Sequence, residues 1–240
     1  MWFMFPLILA LLTGCNTCGN RPLIENKPAA NPDPEVRTFS FQESQDLANE
    51  LSKAAALQTK YQYLKAKYPS KPGSNRDATF VGIQGLKDAL SNHAVAGYGD
   101  LNQFIAWAKA GDWQQFGPGF HHYDWWMFPI DRPSAGQGMK YTVYQQDIQA
   151  LKHDSAFLKN YRLGAILLMQ SWGWDIKHQK PYKNPNPGQT WRNHDVRLGK
   201  LGHSLILFEQ WDLYDSLKHY VVHLKQTGHQ LENWVTAYFS

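Results

Sequence analysis

The sequence predicts an all-α protein, an irregular multi-helix bundle with a central apolar helix and long aromatic, Pro-rich loops. Three observations predict it. Apolar residues recur at helical spacing in several separate stretches, and Ser, Thr or Asp stands at the head of most of them. No sustained apolar–polar alternation or hairpin signal interrupts them.

The chain opens with an apolar run, Met1 to Leu12, that is shorter than the roughly 20 residues a membrane-spanning helix needs. Its length is that of a secretory signal core. The run ends in Leu12-Thr13-Gly14-Cys15, which resembles the bacterial lipobox. The resemblance implies a signal peptide over 1–14 and a lipid on Cys15. The mature protein is then expected to be an exported, membrane-anchored lipoprotein of the bacterial envelope. Asn16, where an inner-membrane retention signal has Asp, favours the outer membrane by the same resemblance. Residues 15–39 are rich in Asn and Pro without periodicity and read as a tether. With Cys15 acylated, Cys18 has no cysteine left to pair with.

The helical domain is expected over 40–240. Ser40-Phe41-Gln42-Glu43 has the form of a capping box, followed at helical spacing by Leu47, Leu51, Ala54, Ala55, Tyr61, Leu64 and Tyr68. Beyond the break at Pro69 to Asn75, Asp77 is placed to cap a helix carrying Phe80, Val81, Ile83, Leu86 and Leu90. Asp100 is placed to cap the next, with Leu101, Phe104, Ile105 and Ala108. From Trp113 to Pro129 the chain is nearly all aromatic, Gly or Pro. Thr142-Val143-Tyr144-Gln145 suggests another cap, before Ile148 and Leu151. Asp154 opens a long helix, apolar on most faces and stopped by Gly173, which belongs at the centre of the bundle. After a Pro/Asn-rich loop over 177–190, one helix carries Val196, Leu198, Leu201, Leu205 and Phe208. Another follows Asp212, and a last one runs through Leu231, Trp234, Val235 and Tyr238.

Composition narrows the function. A net charge of +4 is spread thinly, without a run of five Lys or Arg, which argues against nucleic acid as a partner. His121, His122, Asp124, His194 and Asp195 include metal-ligand types, but the adjacent histidines lack the i, i+4 spacing that puts two ligands on one helix face. No metal or other cofactor is expected. Ser134 and Ser171 lack a nucleophile elbow, and Gly136-Gln137-Gly138 lacks the Gly-Lys-Ser/Thr of a phosphate loop. Trp172, Trp174 and Trp191 flank loops, where they either pack or line a groove for a peptide or a sugar.

His122-Tyr123-Asp124-Trp125-Trp126-Met127-Phe128-Pro129 with Ser134, and Asn193-His194-Asp195-Val196-Arg197-Leu198, resemble two signature segments of the opioid growth factor receptor conserved domain. The resemblance spans about residues 97–226, in order. It implies a helical fold, and it suggests a peptide or an envelope protein as partner, since animal members are named for binding a small peptide. His122, Asp124, Trp126, Asn193, His194 and Arg197 are the candidate binding residues. Asn193 and His194 stand where they can cap a helix, and Arg197 can pair with Asp124 or Asp195. Together these groups form either a buried polar latch or a site. The alternative is a hydrolase or transferase of an envelope polymer, with His122 or His194 as general base oriented by Asp124.

Overall fold

The computed structural model describes residues 39–50, 55–91, 101–117 and 122–240. Cys15, Cys18, Leu51, Ala54, Asp100 and His121 lie outside them, as do the signal and most of the tether. The described residues are all-α but for one short ribbon. The helices are α1 (Phe41–Asn49), α2 (Ala55–Lys67), α3 (Gly82–Leu90), α4 (Leu101–Ala110), the single turn α5 (Asp124–Met127), α6 (Gln145–Lys152) and α7 (Ser155–Ser171). The strands β1 (Trp174–Asp175) and β2 (Lys180–Pro181) follow, then α8 (Asp195–Leu207), α9 (Trp211–Gln226) and the short α10 (Asn233–Thr236).

Two caps stand where the sequence puts them. The Ser40 hydroxyl accepts the Glu43 N–H at 3.3 Å, and the Asp154 carboxylate accepts the Phe157 N–H at 2.9 Å. Each satisfies an orphan donor and contributes about 1 kcal/mol. Gly173 leaves α7 with φ of 81°, a conformation open to glycine.

Two caps differ from expectation. Asp77 closes a turn on Thr79 (2.7 Å to its N–H), and α3 begins only at Gly82 with no side-chain cap. The cap of α6 falls at Tyr144, two residues beyond Thr142, because the buried Asp147 carboxylate accepts both the Tyr144 N–H and the Asn75 N–H at 2.8 Å. One carboxylate thus serves its own helix start and a distant loop. The ribbon β1–β2 was not expected, since two-residue strands are too short to alternate. Phe39, assigned to the tether by composition, belongs to the folded body: its ring stands edge-on to Trp113 at 4.7 Å.

Along α7 every residue from Tyr161 to Ser171 is buried, and the helix packs against α1, α3, α4, α6 and α9. Arg162 is fully buried within it. Its five N–H donors all find acceptors: Leu47 O, Ala48 O, Gln210 Oε1 and both oxygens of Asp212. The two backbone oxygens are last-turn carbonyls of α1, which α1 itself cannot satisfy. Burial of this cation therefore ties α1 to α7 and α9.

Glycines on α8 admit the C-terminal segment. Any side chain at Gly199 would overlap the Trp234 ring, and a Cβ at Gly202 would lie 2.5 Å from Phe239 Cζ. Among the described residues, no helix is long and apolar enough to cross a membrane.

Candidate functional site

Phe116 and the 123–129 stretch, far from α8 in sequence, meet that helix between Arg197 and Ser204. The contact is polar and buried. Lys200 Nζ donates to Asp124 Oδ2 at 2.7 Å, while Arg197 Nε stands 4.0 Å from Asp124 Oδ1. Arg197 also donates to the Phe116 carbonyl and, at 3.0 Å, to the Tyr123 hydroxyl, with its guanidinium 4.3 Å from the centre of that ring. Ser204 Oγ donates to the Pro129 carbonyl at 2.9 Å. Burial lowers the Lys200 pKa to about 8, partly offset by Asp124. Burial also raises the Tyr123 hydroxyl far above its usual value, so it stays a neutral partner for Arg197. The arrangement is a latch: it satisfies buried charge and joins the one-turn α5 to α8.

Ahead of α8 the backbone turns at Asn193, whose φ of 56° is a left-handed value that asparagine tolerates better than most residues. This corrects the capping expectation. Asn193 is exposed and acts through its backbone, and His194, at the cap position, makes no side-chain bond to the first turn.

The His194 ring turns inward instead and is 4% exposed. Trp172 Nε1–H donates to its Nδ1 at 3.1 Å. An indole nitrogen can only donate, so Nδ1 must accept and the neutral ring carries its proton on Nε2. That buried Nε2–H has no hydrogen-bond partner among the described residues. Burial, reinforced by Arg197 and Arg192, lowers the His194 pKa to about 3, so the ring is neutral at ordinary pH.

His194 also lines an open cleft of about 580 Å³. One wall is the start of α8, from Asn193 to Arg197; the other is the turn after α9, with Gly228, His229, Gln230 and Glu232. Val196, expected on the apolar stripe, is 51% exposed and lies in this wall. It sits two positions from Leu198, about 200° around the helix and so on the opposite face.

The structure therefore divides the candidate residues. Asn193, His194 and Arg197 meet at the cleft, and Arg197 is shared with the latch. Asp124 is in the latch, engaged by Lys200 rather than by either histidine. Trp126 is buried in an aromatic cluster, 6.1 Å from Phe104 between ring centres. His122 is exposed and makes no hydrogen bond or ion pair to the others among the described residues. A general base at His194 oriented by Asp124 is not assembled: the carboxylate is elsewhere, and the outer nitrogen already carries a proton.

Of the two roles open to the tryptophans that flank loops, Trp172 and Trp174 take the packed one. Trp172 lies parallel to Tyr220 (5.6 Å, 10°), and Trp174 Nε1–H donates to Ser216 Oγ at 3.0 Å. A second buried imidazole, His203, faces Asp131 at 3.5 Å and stacks on Tyr238 at 4.8 Å; burial lowers its pKa as well. Among the described residues, no three His, Cys, Asp or Glu side chains are grouped to hold a metal.

Sequence reasoning missed Lys200 and the 228–232 wall. A lysine on an amphipathic helix reads as solvent-facing, so it carried no signal. Gly228 (φ 85°) does mark the helix end, but nothing local announces that the turn returns toward α8. Comparison of the chain with protein-family models, curated proteins and solved structures finds no match.

Proposed function

We propose that this chain is a lipid-anchored, exported helical domain of the opioid growth factor receptor conserved-region type, and that it binds a peptide or protein segment without catalysing a reaction. On this reading residues 1–14 are the signal and Cys15 carries the lipid. The body is then an irregular bundle wrapped on α7, with its family-like core at about 97–226. The observation that carries the binding assignment is the cleft beside the α8 start, where exposed Val196 stands among the polar residues Asn193, His229 and Gln230. An apolar contact beside convergent polar groups is what a recognition cleft requires.

Panning a displayed random-peptide library on the full-length chain tests the binding. Peptides should enrich on wild type and be lost on Val196→Glu, an exposed change that leaves the melting temperature where it was. No enrichment on wild type overturns the reading. Incorporation of labelled palmitate that disappears in Cys15→Ala tests the anchor.

A further inference from the structure

We infer that the face formed by α2 and α9 docks on an anionic bilayer surface, its lysines reaching lipid phosphates while Tyr63 and Val222 enter the headgroup layer. This surface is separate from the cleft beside α8, and its role does not depend on a ligand there. Two stripes of the same composition make the face. On α2, Lys60, Tyr63 and Lys67 follow one another at steps of three or four residues, and on α9 so do Lys218, Val222 and Lys225. That spacing puts each set on one side of its helix. Tyr63 and Val222 are 48% and 45% exposed, two of the four large apolar side chains exposed among the described residues. Lys60, Lys67 and Lys225 are exposed beside them, and Lys218 is half-buried.

The stripes lie side by side. Lys60 Nζ crosses from α2 to Asp215 Oδ1 on α9 at 2.7 Å. Burial lowers the Lys218 pKa, and the nearby charges of Lys60 and Lys67 lower it further against Asp215. α2 has no acidic residue, and both acids of α9 are engaged: Asp212 by Arg162, and Asp215 by Lys60, Tyr61 and Gln179. Lys67 Nζ donates to Ser240 Oγ at 3.1 Å. Lys218 and Lys225 make no hydrogen bond or ion pair among the described residues, and with Val222 they line a depression of about 340 Å³. Like charges held this close favour an anionic partner. Each apolar side chain stands one turn from a lysine on either side, which fits a bilayer. Lysine stems can lie along the apolar layer with their heads at the phosphates, and tyrosine favours the membrane–water boundary. Apolar burial and attraction to anionic lipid then add.

The test is co-sedimentation of the full-length chain with vesicles of phosphatidylcholine alone or with about a third phosphatidylglycerol. Residues 1–14 carry no charged side chain, and Arg21, Lys27 and Arg37 balance Glu25, Asp33 and Glu35, so the N-terminal part adds alike to both. Partition should be about tenfold or more stronger onto the anionic vesicles. The triple variant Lys67→Gln, Lys218→Gln, Lys225→Gln should lose about thirtyfold of that binding. Lys109→Gln, Lys140→Gln and Lys159→Gln together, away from this face on α4, before α6 and on α7, change the net charge equally and should lose less than about threefold. Tyr63→Ser with Val222→Ser should weaken binding about tenfold at an unchanged melting temperature, since both side chains are exposed. Equal binding to neutral and anionic vesicles overturns the inference, and so do equal losses in the two lysine variants. Soluble polyglutamate binding as tightly as the vesicles, with no effect of Tyr63 or Val222, overturns the bilayer in favour of an acidic protein.

Discussion

Because His194 is neutral when folded, its burial should make the protein acid-sensitive in a defined window. The folded ring takes a proton only near pH 3, whereas an unfolded histidine does so near pH 6.5. Below about pH 6.5 the unfolded chain therefore holds more protons than the folded one, and stability falls as pH falls. Between pH 7 and pH 5 this single group removes about 2 kcal/mol, the loss continuing toward pH 3. The comparison to make is wild type against His194→Asn, which retains an oxygen for Trp172 Nε1–H and has nothing to titrate. His203 is common to both proteins, so its own acid response cancels. With a urea dependence of about 2 kcal/mol per molar, the wild-type midpoint should fall about 1 M further than that of the variant over this interval. Parallel falls in the two midpoints would refute the assignment of a buried neutral ring at His194.

The latch makes a second prediction. Asp124→Asn and Lys200→Met should each cost about 3 kcal/mol by stranding a buried charge, whereas Asp124→Leu with Lys200→Met should cost clearly less than the two together, read from a double-mutant cycle in urea. Arg162→Lys keeps the charge but cannot reach five acceptors. It should cost about 3 kcal/mol, with amide exchange in α1 rising more than in α6. Gly202→Ala should cost about 2 kcal/mol by displacing Phe239, seen as a lowered thermal midpoint and a freed C-terminal segment in proteolysis. Val196→Glu, on the exposed side of the same helix, should stay within about 0.5 kcal/mol of wild type.

The helices were legible because amphipathic spacing and caps act locally. Ser40, Asp154 and Gly173 mark their ends through interactions that reach no more than a few residues. Asp77 and Thr142 misled for the same reason. A short polar side chain before an apolar run caps a helix or closes a turn with equal chemistry, and at α6 a distant loop decides the outcome by engaging Asp147 through Asn75. The meeting of the 122–129 and 193–198 stretches was legible in outline from the acid on one and the base on the other. The partner that dominates there was not, since Lys200 lies one turn beyond Arg197 and a lysine on an amphipathic helix would ordinarily face water. His194 was singled out from its position at a helix start, yet its role depends on Trp172, twenty-two residues earlier in the chain. No pattern of spacing within the 193–198 segment carries that information.

Arg162 has a mechanical meaning as well as an energetic one. If Cys15 is held in a bilayer, tension from the anchor enters the folded body at Phe39 and is borne first by α1. The guanidinium of Arg162 grips the carbonyl end of that helix through two of its last-turn oxygens while being clamped from behind by Asp212. Thermal jostling of the membrane would thus be shared by this buried cation and the Ser44–Gln170 hydrogen bond, two ties that hold the first helix to α7 at a distance along the chain from the cleft beside α8.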